Sequence, residues 1–221
     1  MNFPSVQTYN FFEDPYKVLD FVDSLEFKTE QNGKQTWPGL RTDFLHNIDY
    51  KFFNHVCTKQ LRLFYSFAEM NDMTWQAEMQ FQKIKPEDVL DKQNKKGWIH
   101  RDTHSTLTTI IYLTPNCFKS GTSIFKNKKI GDTETEGEYK IKFYTDKDVE
   151  KDDYISEFEE TNNKFEEVAK FNSVFNSCIM FDGSHPHGAN FDFEEERLTL
   201  ITFFTKISAP RFPVPETWKV V

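Results

Sequence analysis

Hydrophobic and polar positions recur along this chain with two periods, and the switch between them divides it. Near the N-terminus Val18, Phe21, Val22 and Leu25 fall at helical spacing behind Asp14 and Pro15, a capping residue followed by one preset for a first helical turn. A helix is predicted there, over 15–25. The segment QNGKQTWPGLRTDF is punctuated by Gly and Pro and reads as a loop. A second helix is predicted over 49–67, with Phe53, Val56, Cys57, Leu61 and Phe64 as one apolar stripe. From residue 74 the period falls to two. Trp75, Ala77, Met79 and Phe81 alternate with Gln76, Glu78, Gln80 and Gln82, the mark of a half-buried strand.

Further strands are expected at WIHRDTHSTLTTIIYLTP, where β-branched residues dominate up to Pro115, and at TSIF, EYKIKFY, SVFNSCIMF and RLTLITFF. A charged helix is expected near SEFEETNNKFEEVAKF, and the turn-rich DGSHPHGANFDFEEE joins the last two strands. Helices followed by many short strands predict an α+β, mainly β domain whose C-terminal two-thirds is a sandwich or barrel. The whole chain, 1–221, is read as one domain. Residues 1–70 give helical support, 74–206 the β core, and 126–170, rich in Glu, Asp and Lys, an insertion within it.

Composition narrows the partners. A net charge of −8 and five scattered arginines repel phosphate backbones, so no nucleic-acid partner is expected. No apolar run reaches the roughly 18 residues of a membrane span, and no membrane association is expected. Three cysteines without CxxC spacing, behind an N-terminus with no signal-peptide pattern, predict a cytoplasmic, reducing setting. No pattern sets an oligomeric state. The mean hydropathy is −0.66, yet 24 Phe supply ample core. Neither GxGxxG nor a P-loop occurs.

Four of the six histidines lie in two clusters, His100 with His104 and His185 with His187, each beside an expected strand. In an extended segment residues two apart face the same side, so His100 and Asp102 can reach one ion. An imidazole from the second cluster then completes two histidines and one carboxylate, a donor set associated with non-haem Fe(II) oxygenases. By chance a chain of this composition holds about 0.4 His-x-Asp tripeptides, so that motif alone is weak. Arg197 adds weight. It lies ten residues past His187 and opens RLTLITFF with Thr199 on the same face. A guanidinium turned into a barrel needs a partner, either a bound carboxylate or Glu194, Glu195 or Glu196 at the strand edge.

The order His-x-Asp, GTSIF, CIMFDGSHPHGA, RLT resembles the 2-oxoglutarate/Fe(II)-dependent dioxygenase superfamily, nearest in style to its prolyl 4-hydroxylase-like branch, over roughly residues 74–206. Ser120 stands where the family's Gly-Gly-Thr-like turn has its first glycine. The resemblance implies a double-stranded β-helix, or jelly roll, with Fe(II) held by His100, Asp102 and His187. It implies 2-oxoglutarate bound by Arg197 with Thr199 and Tyr112, and ascorbate as a reductant. The implied reaction hydroxylates a peptidyl residue, proline-like, or a small metabolite, with release of succinate and CO2. His185 competes with His187 as the distal ligand, and the ten-residue spacing to Arg197 favours His187. His104 is read as a neighbour of the site or as structural, Trp98 as a pocket wall or core, and Trp37 and Arg41 as packing before cleft. The rival reading is a cupin-like metal-binding jelly roll that recognises a ligand or partner without catalysis. Zinc hydrolysis ranks last, since His-Arg-Asp-Thr-His does not match His-Glu-x-x-His.

Overall fold

The helical support starts as its caps dictate. In a computed structural model, which describes residues 3–29, 37–89, 95–129 and 155–212, helix α1 spans Pro15–Asp23. The Asp14 side chain accepts from the Lys17 N–H, and Val18 and Val22 are buried. The second predicted helix divides. After α2 (Leu45–Ile48), α3 (Tyr50–Leu61) begins at Asp49 and buries Phe53, Val56, Cys57 and Leu61. It does not run on to residue 67. Ser66 and Glu69 form a reciprocal capping box that starts a separate turn, α4 (Phe67–Met70).

Among the described residues, nine strands follow the jelly-roll plan. Strands β1 (Val6–Thr8), β2 (Leu40–Arg41), β3 (Thr74–Ile84), β4 (Leu107–Tyr112), β7 (Cys178–Asp182) and β9 (Arg197–Ser208) form an antiparallel sheet in the order β1-β7-β4-β9-β3-β2. Strands β5 (Gly121–Asn127), β6 (Phe165–Asn172) and β8 (His187–Asn190) form a second sheet, ordered β6-β5-β8. The protein is thus α+β and mainly β, a double-stranded β-helix with flanking N-terminal helices. Gly121 adopts φ 147°, and a Cβ there would lie 2.0 Å from the Phe171 carbonyl oxygen, so the β5–β6 pairing depends on glycine at its first rung.

Two expectations change. The run 97–113 is not one strand, because a turn at 102–105 separates an extended segment from β4. The charged helix expected near 156–171 ends early: α5 covers Ile155–Asn163, and the next residues form β6. As an edge strand β6 buries little beyond Phe165, so its acidic residues stay in solvent and mimic a helix surface in the sequence. The strand expected at EYKIKFY lies outside the described residues.

Period two sorts the large sheet. Met79, Phe81, Leu107, Ile111, Leu200 and Phe204 face the helices in one core with Val22, Val56 and Leu61. Ile110, Tyr112, Ile124, Ile179, Phe181 and Ile201 pack between the sheets. Cys57, Cys117 and Cys178 are buried free thiols. Among the described residues no helix is long and apolar enough to cross a membrane.

Candidate metal centre

Residues 96–100 run antiparallel to β8, bridged at Lys96 with Asn190 and at His100 with His187. His100 and His187 exchange both backbone hydrogen bonds, each N–H donating to the other's carbonyl at 2.9 Å. Directly opposed residues of an antiparallel pair present their side chains to one face. The two imidazoles accordingly lie side by side, with centroids 4.5 Å apart.

The chain then turns. The Asp102 N–H donates to the Gly183 carbonyl at 2.9 Å and the Ser105 N–H to the Asp102 carbonyl at 2.8 Å. Gly183 permits this approach, since a Cβ there would sit 2.1 Å from the Ser105 carbonyl oxygen. The turn aims the Asp102 carboxylate at both rings. Its Oδ1 is 3.6 Å from His100 Nε2 and its Oδ2 is 3.2 Å from His187 Nε2. One potential ligand atom from each of the three residues lies within 4.8 Å of the other two.

Hydrogen bonds behind the rings decide their chemistry. His100 Nδ1 lies 2.9 Å from the Trp98 carbonyl oxygen, and His187 Nδ1 lies 2.9 Å from that of His185. A carbonyl can only accept, so each Nδ1 carries a proton, and it is the Nε2 of each ring that faces the carboxylate. The Thr108 hydroxyl donates to Asp102 Oδ2 at 2.9 Å, which keeps that oxygen an acceptor. Three potential ligand atoms therefore converge, and with both rings neutral their lone pairs face one another. Asp102 and His187 are 7% and 5% exposed, so water does little to relieve the repulsion. A divalent cation resolves it, and two imidazoles with one carboxylate on one face is the donor set that non-haem iron takes.

The three residues line a cavity of about 320 Å³, together with Arg197, Thr199 and Thr122. Arg197 is 3% exposed and its Nε makes no hydrogen bond. Its guanidinium lies 5.4 Å from the centre of the Tyr112 ring, whose hydroxyl donates to Thr122 Oγ1 at 2.9 Å. Glu194, Glu195 and Glu196 do not pair with it among the described residues. Glu196 instead meets Lys83 at 3.5 Å. Burial pushes the guanidinium below its usual range, with Tyr112 and Cys117 opposing. Burial also pushes the Tyr112 hydroxyl up to about 12, against the pull of Arg197. Among the described residues this buried cation meets no carboxylate, and a carboxylate is the group that would satisfy it. Thr199 is buried beside it, in register with Gln82 on one side and Tyr112 on the other.

The other candidates separate cleanly. The His185 side chain stays outside the donor group, and its contribution is the carbonyl that orients His187. His104 also stays outside the group and lines the cavity, its ring 5.1 Å from Phe203. Trp98 lines the cavity and packs edge-on to Phe158 at 5.1 Å. Trp37 and Arg41 are cavity wall as well as packing, with the guanidinium 4.4 Å from the indole centre.

Sequence reasoning passed over the polar face of β3. Glu78, Gln80 and Gln82 point into the cavity, and the two glutamines are each 4% exposed. Gln80 Nε2 donates to the Thr42 carbonyl at 2.6 Å and Gln82 Nε2 to that of Pro38 at 2.8 Å, tying the 37–42 segment to the cavity wall. Amides rather than lysines on alternate positions were the available signal, because an amide tolerates burial once its hydrogen bonds are met.

The chain belongs to the family of unknown function DUF6445, whose model matches residues 4–204. No curated protein matches it. Its fold is similar to EvdO2 from Micromonospora carbonacea var. aurantiaca, with TM-score 0.52 at 9% identity over 97% of this chain and 91% of that one. EvdO2 complexed with 2-oxoglutarate superposes at TM-score 0.50 and 8% identity, with the same coverage. A Pseudomonas putida prolyl-4-hydroxylase gives TM-score 0.47 at 13% identity, over 90% of this chain and 91% of that one. At such identities the likeness is one of fold.

Proposed function

We propose that the protein is a 2-oxoglutarate- and Fe(II)-dependent dioxygenase that hydroxylates a peptidyl residue, proline-like, or a small metabolite. The observation that carries this reading is the pairing of two features in one cavity. Three converging donors ask for a cation, and a buried guanidinium without an acidic partner among the described residues asks for a carboxylate. 2-Oxoglutarate offers a keto acid to the first and a distal carboxylate to the second.

His100, Asp102 and His187 would hold the iron, which when bound supplies the oxygen chemistry of the site. The chain supplies the rest. Arg197 takes the distal carboxylate through two-pronged hydrogen bonding, Tyr112 and Thr199 flank it, and Thr122 fixes the Tyr112 hydroxyl. The Trp98 and His185 carbonyls accept from Nδ1 and so orient both rings with Nε2 toward the metal position, and Thr108 steadies Asp102. The apolar wall of Ile110, Ile201 and Phe203 limits water beside the reacting atoms. A cavity of about 320 Å³ lies at the small end of ligand pockets. Substrate must therefore enter as a side chain or small molecule. No feature of the site supports the ascorbate expectation. The cupin-like reading loses ground because a plain metal-binding module has no use for a buried Arg197.

Anaerobic addition of Fe(II) and then 2-oxoglutarate to the metal-free protein is expected to raise a weak visible charge-transfer band. Arg197→Ala is expected to lose the band and uncoupled succinate formation while still binding the metal. A variant that forms succinate at the wild-type rate would refute the assignment.

A further inference from the structure

The segment that delivers His100 is irregular. Between the two bridges to β8, five residues, Lys96–His100, oppose four, His187–Asn190, so one extra residue is accommodated immediately before the ligand. Such a bulge re-aims a side chain but leaves backbone groups that the ladder cannot pair. Here they have a partner outside the sheet. Asn162, in the last turn of α5, accepts from the Ile99 N–H through Oδ1 at 2.9 Å and donates from Nδ2 to the Gly97 carbonyl at 3.1 Å. Those groups flank Trp98, whose carbonyl sets the His100 tautomer. One helical turn earlier on the same face of α5, the buried Phe158 packs against the Trp98 indole at 5.1 Å.

We infer that Asn162 is a positioning residue for the metal centre, its side-chain amide holding the 97–99 bulge in the one conformation that points His100 Nε2 at Asp102 and His187. The inference rests on the metal reading of the preceding subsection. An amide is the side chain suited to this task, because it donates and accepts as the missing backbone partner would. Aspartate can only accept and alanine does neither. Helix α5 thereby becomes part of the site's frame although none of its residues is among the three ligands.

The test is Co(II) titration of the metal-free protein, followed by calorimetry and by the visible ligand-field spectrum. Asn162→Ala is expected to weaken Co(II) binding about 10- to 100-fold and to alter the spectrum, with far-ultraviolet circular dichroism unchanged. Asn162→Asp keeps the bond to the Ile99 N–H and is expected to lose less. Glu159→Ala, an exposed change on the same helix, is expected to bind as wild type. Wild-type affinity and spectrum in Asn162→Ala, with binding abolished in His100→Ala, would overturn the positioning role and leave the metal reading standing. Absence of Co(II) binding in the wild type would overturn both. Should Asn162→Ala fail to fold, Asn162→Asp decides, and unchanged affinity and spectrum there overturn the role equally.

Discussion

The two faces of the six-stranded sheet are built from the same strands and do opposite work. Toward the helices β3, β4 and β9 present Met79, Phe81, Leu107, Ile111, Leu200 and Phe204, all fully buried. Toward the cavity the intervening positions carry Gln80, Gln82, Thr108, Arg197 and Thr199, equally shielded from water but polar. The helix face also holds the buried Thr109 and Thr202, but both hydroxyls accept from the Gln60 side chain of α3. Burying amides and a guanidinium costs free energy unless each is matched, and the guanidinium is not fully matched by protein. The difference teaches where selection for stability stops and selection for binding begins, strand by strand and one residue apart.

The contrast can be broken from either side. Leu200→Ala opens a cavity on the helix face and is expected to destabilise by about 2–5 kcal/mol in urea unfolding, with Co(II) affinity unchanged. Arg197→Met does the reverse. Removing a desolvated charge is expected to raise stability by about 1 kcal/mol, while 2-oxoglutarate affinity falls at least about 100-fold by calorimetry. A loss of stability in Arg197→Met would mean that the cavity face is structural after all.

The smallest effect is expected at Tyr112, which touches both the sheet interior and Arg197. Its folded value of about 12 exceeds the roughly 10 of a free tyrosine, so the folded chain keeps a proton that the unfolded chain releases. That contribution is fully present below pH about 10 and is lost as pH rises through about 12. Tyr112→Phe is expected to cost about 0.5–1.5 kcal/mol at pH 8 and to show a shallower alkaline decline. Urea midpoints of both proteins from pH 8 to 11 check the sign.

How much of this is legible in the amino-acid sequence depends on whether the cause is local. Strand β3 announces itself because Trp75, Ala77, Met79 and Phe81 alternate with polar residues, and α1 because Asp14 and Pro15 cap it. His100 and Asp102 stand out because strand geometry alone puts residues two apart on one side. What stayed hidden depends on pairing across the chain. Glu166 and Glu167 look helical until β5 claims them for an edge strand. Gln80 and Gln82 look solvent-facing until the 37–42 segment binds their amides. Asn162 is 62 residues from His100, and no local pattern connects an asparagine in an acidic helix to a bulge beside a ligand.

The reciprocal backbone bonds between His100 and His187 carry one more consequence. The two nitrogen donors are rungs of a β-ladder, so their spacing is preassembled by folding rather than by the cation. A bound ion would then add stability by mass action to a chain already folded, unlike in small domains that a metal nucleates. On the proposed function the metal-free chain is expected to keep its fold and its two imidazoles in register, ready for the cation, as circular dichroism of the metal-free protein would check.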